Sequence, residues 1–168
     1  MDWLTAIVQW LHIFLAIFWF GGTLYSDFVL VPALSTLSLP TQREVGGAIG
    51  ARAIRIIPAV AGGVILLGII RGTVLGNIKS LADLGTTYGI TWLVALIVAI
   101  GTFWWGYRVI TPAIDALNAT DDTAAIGRDG KPTPELAARI DDLKRKIGLE
   151  LVGFVVILTC MVLMRFGL

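Results

Sequence analysis

The chain alternates long apolar runs with shorter polar stretches. Four runs reach the roughly 20 residues that a helix needs to cross the hydrocarbon layer of a bilayer. They extend from about Leu4 to Leu34, Ile56 to Leu75, Tyr88 to Ile110 and Ile147 to Phe166. The first exceeds the minimum and carries Pro32 near its far end, where a kink or stop is tolerated, so it is expected to tilt or protrude. The pattern predicts an all-α polytopic membrane protein, a single four-transmembrane-helix bundle over residues 1–168.

The polar stretches predict elements of their own. Residues 115–146 open with Asn118-Ala119-Thr120-Asp121-Asp122 and offer a turn at Asp129-Gly130. Beyond it Thr133 suits an N-cap, Pro134 the first helical position and Glu135 the positive end of the helix dipole. Leu136, Ile140, Leu143 and Ile147 then form one apolar stripe, while Glu135/Arg139, Asp141/Arg145 and Asp142/Lys146 are opposite charges four residues apart. This helix is expected to run on into the fourth span, and Arg43 to Arg55 to form a shorter counterpart before the second.

Composition supports lipid as the solvent. With 57% hydrophobic and 15% charged residues, and a mean hydropathy of +0.84, so short a chain cannot hide its apolar surface in one water-soluble core. A net charge of +1 provides no field to gather nucleic acid. The lone Cys160 excludes an internal disulfide. No Lys or Arg precedes the first apolar run, which is therefore expected to be a retained helix, not a secretory signal.

Basic residues predict sidedness, because Lys and Arg in short loops are retained in the cytoplasm. Arg43, Arg52, Arg55, Arg108, Arg128, Lys131, Arg139, Lys144, Arg145 and Lys146 belong to one side, against Arg71, Lys79 and Arg165 on the other. Loops 35–55 and 111–146 are thus expected in the cytoplasm and both termini outside, in a bacterial-type plasma (inner) membrane.

Val29-Leu30-Val31-Pro32-Ala33-Leu34 and Val109-Ile110-Thr111-Pro112-Ala113-Ile114 end the first and third spans in one pattern. Such an echo suggests two pseudo-repeated helical hairpins related by an axis along the membrane normal. Gly68, Gly72 and Gly76 recur every fourth residue, a spacing that lets helices approach closely, and Gly21, Gly22, Gly62, Gly63 and Gly101 extend the set of candidate contacts.

His12, the only histidine, falls about 13 Å below Trp3 at 1.5 Å per residue, within the membrane. An ionisable group there marks a ligand or redox residue, or else a structural hydrogen bond to a neighbouring helix, or a proton site. Cys160 and Met164, four apart on the fourth helix with Met161 adjacent, come to a similar depth, and imidazole, thiolate and thioether together suit copper. Ordinary core packing is the competing role for both sulfurs. Arg71 suits an anionic cofactor group such as a haem propionate, or a lipid phosphate. Asp27, Arg55, Arg108 and Glu150 share a depth on four helices and are expected to form an ion-pair network, with a proton or substrate site as the alternative. Trp3 and Trp92 suit the outer interface, with Trp10, Trp19, Trp104 and Trp105 deeper.

Trp10-Leu11-His12-Ile13-Phe14, then Trp19-Phe20-Gly21-Gly22 and Val31-Pro32-Ala33-Leu34, resemble the first helix of the copper-resistance-protein-D-like membrane family and of the HemJ-type protoporphyrinogen oxidases. The resemblance implies a four-helix membrane domain in which His12 ligates haem b or contacts copper. A bis-histidine haem is not available within one chain, which leaves Met161, Met164, a five-coordinate iron or a second chain. The resulting expectation is metal handling or electron transfer, with oxidoreductase activity only if haem is bound, since no HExxH, Walker loop, GxSxG or CxxC occurs. A cofactor-free accessory subunit of a larger respiratory or photosynthetic membrane complex is the alternative, and a small-molecule or metal transporter the second. Lipid is the expected partner, joined by other membrane subunits or by copies of the chain.

Overall fold

The computed structural model describes residues 3–119 and 133–167. Four long helices form an antiparallel bundle: α1 (Trp3–Leu34), α2 (Leu39–Gly72), α3 (Thr87–Asn118) and α4 (Pro134–Phe166). Each is long and apolar enough to span a membrane. At 1.5 Å per residue they reach about 50 Å, well beyond the ~30 Å hydrocarbon layer. The excess is polar and lies at one end of the bundle, where α2 carries Arg43, Glu44 and Arg52 and α4 carries residues from Glu135 to Lys146. The other end, with Trp3, Gly72, Thr87 and Phe166, is called here the Trp3 end.

Two hairpins make up the bundle. The α1 helix packs on α2 and α3 on α4, with a lighter α2–α3 contact between the pairs. Both odd-numbered helices contain a π-turn just before a proline: Ser26–Leu30 ahead of Pro32, and Gly106–Ile110 ahead of Pro112. A proline has no N–H and its ring crowds the preceding turn, so one wider turn relieves the clash. The N–H of Val31 accordingly bonds Ser26 O, and that of Thr111 bonds Gly106 O. The shared sequence ending thus corresponds to a shared backbone distortion.

Local signals account for the helix ends. Thr133 Oγ1 accepts from Leu136 N (3.4 Å), and Leu136, Ile140, Leu143 and Ile147 are half-buried along one uninterrupted helix. Asp142 pairs with Lys146 as expected, whereas Asp141 pairs with Lys144 instead of Arg145. Gly167 closes α4 at φ 74°, a left-handed conformation that favours glycine. Residues 120–132, including the expected Asp129-Gly130 turn, lie outside the described set.

The second apolar run ends earlier than its composition suggests. The α2 helix stops at Gly72, not Leu75, and Lys79 Nζ donates to the free carbonyls of Thr73 (3.0 Å) and Val74 (2.7 Å). A short 3₁₀ turn, Leu81–Gly85, then leads to Thr86, whose Oγ1 caps α3 by accepting from Gly89 N at 3.1 Å.

The core is narrow. Trp19, Ala61, Val64 and Phe154 are buried together at mid-bundle, with Leu15, Phe20, Phe103 and Ile157 against them. Outside it, large side chains such as Trp10, Leu66, Ile97 and Val155 are exposed on every helix, which suits contact with lipid. The protein is a polytopic membrane protein of four spans.

Only some of the expected glycines serve close approach: a Cβ at Gly63 would stand 2.8 Å from Leu15 Cδ1, and Gly68 and Gly72 seat rings of neighbouring helices. No atom lies within 4 Å of a side chain built at Gly21, Gly22, Gly62 or Gly101, so these make no helix contact. Gly76 lies beyond the end of α2, facing that helix's own last carbonyls. The α3–α4 contact instead uses Gly153, against Thr102, and Gly106, where a Cβ would stand 2.7 Å from Glu150 Oε1.

Candidate functional site

A cavity of about 700 Å³ lies between the hairpins in the Trp3-end half, lined by residues of all four helices. That volume falls within the range of roughly 300–1,000 Å³ typical of cofactor and small-molecule sites. Its floor is aromatic. Trp19 meets Phe154 edge-on with ring centroids 4.9 Å apart, and Phe20 stacks on Phe154 at 5.0 Å. Its rim is polar, carrying Gln9, Arg71, Asn77, Tyr88 and Arg165.

His12 lies on the cavity wall and is fixed from behind. Its Nδ1 is 3.0 Å from the carbonyl oxygen of Val64 on α2. A carbonyl only accepts, so Nδ1 carries the hydrogen and Nε2 keeps its lone pair. Metal-ligating histidines are commonly oriented in this way, through a bond from the second ring nitrogen to a backbone carbonyl. The expected structural hydrogen bond and the expected ligand role are therefore compatible, one on each nitrogen.

Gly68 makes room for that ring. A Cβ at residue 68 would stand 3.1 Å from His12 Cε1, and the Gly68 carbonyl also accepts from Trp92 Nε1 at 3.3 Å. One turn on, the Trp92 indole fills the space next to Gly72. The glycine repeat of α2 thus seats two rings of the cavity wall, His12 from α1 and Trp92 from α3. Trp92 is half-buried here, its indole turned toward α2.

Arg71 Nε donates to Gln9 Oε1 at 2.9 Å, and Arg71 Nη1 reaches Leu75 O at 3.5 Å. Gln9 precedes His12 by three residues, so the same faces of α1 and α2 are tied twice. The guanidinium charge lies within electrostatic reach of the imidazole. Two arginines, Arg71 and Arg165, give the rim a positive character suited to carboxylate or phosphate groups.

Among the sulfurs, Met161 and Met164 line the cavity with His12, whereas Cys160 is buried and is not part of the wall. Met161, which the spacing argument treated as secondary, has the better position. Among the described residues no three His, Cys, Asp or Glu side chains gather to hold a metal ion.

The ion-pair network expected at the far end does not form among the described residues. Arg108 lies over the Trp104 ring at 4.6 Å, and Arg55 is exposed. Asp27 has one buried oxygen, Oδ2, without a hydrogen-bond partner, and Glu150 packs against Gly106. A shared depth does not place side chains on facing sides of their helices. Trp105 Nε1 ties α3 to α4 instead, donating to Lys146 O at 3.0 Å.

No known protein family, curated protein or solved structure matches this chain.

Proposed function

We propose that this four-span protein holds a flat anionic cofactor of the haem b type in the cavity between its hairpins. His12 Nε2 would ligate its iron, and Arg71 and Arg165 would meet its acidic groups on the outer side of the membrane. The observation that carries this reading is the His12 Nδ1–Val64 O bond, which leaves the second ring nitrogen as a lone-pair donor on a cavity wall. The aromatic floor suits an apolar ring system, and the rim suits its carboxylates. The resemblance read in the first helix leads to the same expectation, although no family model matches the chain. A bound haem supplies one-electron chemistry. The chain's own residues orient the ligand nitrogen, neutralise the acidic groups and exclude water from the inner half of the cavity.

Copper is the second reading, favoured by the presence of Met161 and Met164 beside His12 in one cavity. Imidazole with two thioethers is a soft set suited to Cu(I).

One preparation separates the two readings. The intact protein is purified in mild detergent, and its visible spectrum and metal content are recorded. A Soret band lost in His12→Ala supports haem ligation. Stoichiometric copper without that band supports the copper site. Neither signal, after supplementing cells with both, overturns the cofactor role and leaves the accessory-subunit alternative.

A further inference from the structure

Three sides of the bundle are closed by neighbouring helices, but the backbones of α1 and α4 scarcely approach each other. At mid-bundle Trp19, Phe20 and Phe154 fill the space between them. Nearer the Trp3 end no ring pair bridges α1 and α4 among the described residues. The walls there are Ile13 and Ile17 of α1 and Leu158 of α4. These three are 42%, 66% and 49% exposed, although all of them line the cavity. A side chain that borders a cavity while facing the hydrocarbon marks the edge of an opening.

The chemistry of the two ways in differs. Along the bundle axis an apolar body would have to pass Arg71, Arg165, Asn77 and Tyr88 and strip their polar groups of water, which is costly. Through the side window it passes only aliphatic side chains, from one hydrocarbon environment to another. Acidic groups on the same molecule would travel at headgroup depth toward the two arginines.

We infer that the cavity is loaded sideways, through the gap between α1 and α4, by an amphiphile already dissolved in the bilayer that has a flat apolar body and acidic groups. Resting on the cofactor role proposed for the cavity, this gate determines where the ligand comes from and how fast it exchanges. It also makes the surrounding leaflet the immediate source of the ligand.

The test uses the full chain in vesicles, with ferric haem b delivered from donor vesicles and the Soret band as readout. Ile17→Trp/Leu158→Trp narrows the gap, and Ile90→Trp, on a lipid-exposed position outside the cavity wall, is the control. Narrowing a gate slows loading and release together, by about tenfold, while the control keeps wild-type rates. Because two added indoles can disturb folding, the gap is also blocked after purification. A bulky maleimide is attached at Ile17→Cys in a Cys160→Ala background. Unchanged rates in both blocked forms overturn the gate while leaving a His12-dependent Soret band intact. Faster release with unchanged loading overturns it too, since that is lost affinity. No haem uptake by the wild type overturns the cofactor role, and the gate with it.

Discussion

The indole of Trp92 fills the space that a side chain at Gly72 would need. This places a bulky ring of α3 directly on the last turn of α2, beside the bond from Trp92 Nε1 to Gly68 O. Any larger residue at 72 must displace the ring or part the helices. Gly72→Val is expected to lower stability by about 1–3 kcal/mol, the usual cost of overpacking. Thermal unfolding in detergent reads it. Trp92→Ala in the same chain should recover part of the loss, making the pair less than additive.

His12 is expected to separate stability from ligation. His12→Ala removes one interhelical hydrogen bond, worth roughly 0.6 kcal/mol on average between membrane helices, with ~1–2 kcal/mol as an upper range. Compared as apo-proteins, variant and wild type should therefore melt close together, while the variant fails to acquire a Soret band or copper. A large drop in melting temperature with the spectrum retained would show that the imidazole only braces α1 against Val64.

Arg71 should matter through charge as well as position. Its Nε is engaged by Gln9, and its Nη1 makes only a long contact to Leu75 O. A charge-assisted bond to a ligand acid group contributes about 1.5–3 kcal/mol, so Arg71→Gln is expected to weaken haem binding by about 10- to 100-fold. Titration of the apo-protein followed at the Soret band measures it. Gln9→Ala, which frees Nε but leaves the charge, should weaken binding much less.

Much of the fold was legible because run length is a local property, and so are caps such as Thr133-Pro134. The site was legible only in part. Its face on α4 can be read as Phe154, Ile157, Leu158, Met161, Met164 and Arg165, a helical stripe centred one residue past Cys160. Spacing alone linked Cys160 to Met164 and could not say which stripe turned inward. Depth along a helix likewise put Asp27, Arg55, Arg108 and Glu150 at one level but carried no information about the side they faced. The early end of α2 depends on Lys79 folding back onto carbonyls five and six residues earlier, a contact that hydropathy does not register. The π-turns have a signal in the repeated proline, which reads as a sign of duplication and, at Pro32, of a kink or stop, but not of a widened turn.

The sidedness inferred from basic residues can be tested at two positions. Ser80 lies in the connection between α2 and α3, and Asp115 near the end of α3, and both are exposed. In a Cys160→Ala background, Ser80→Cys is expected to react with an impermeant thiol reagent added to whole cells. Asp115→Cys should react only after the membrane is opened. The reverse pattern would place Arg71 and the cavity rim on the cytoplasmic side.

Asp83 should make the α2–α3 connection sensitive to acid. Its carboxylate accepts from Lys79 N (2.8 Å), Ser80 N (2.7 Å) and Ser80 Oγ (3.0 Å), and these bonds, that from Lys79 foremost, hold its pKa below the ordinary aspartate value. A carboxyl whose pKa is lower in the folded than in the unfolded chain contributes stability that is fully present above the unfolded value, about 3.9. That contribution is lost as pH falls through the lower, folded value. The same turn positions Lys79 to cap Thr73 and Val74, so protonating Asp83 should loosen the end of α2 next to Arg71 and Gly72. Hydrogen exchange at the amides of Lys79 and Ser80 is expected to be slow at pH 6 and, after correction for the intrinsic rate, faster near pH 3. Asp83→Asn should remove that pH dependence, with weakened protection at both pH values, since an amide oxygen accepts these bonds less strongly than a carboxylate.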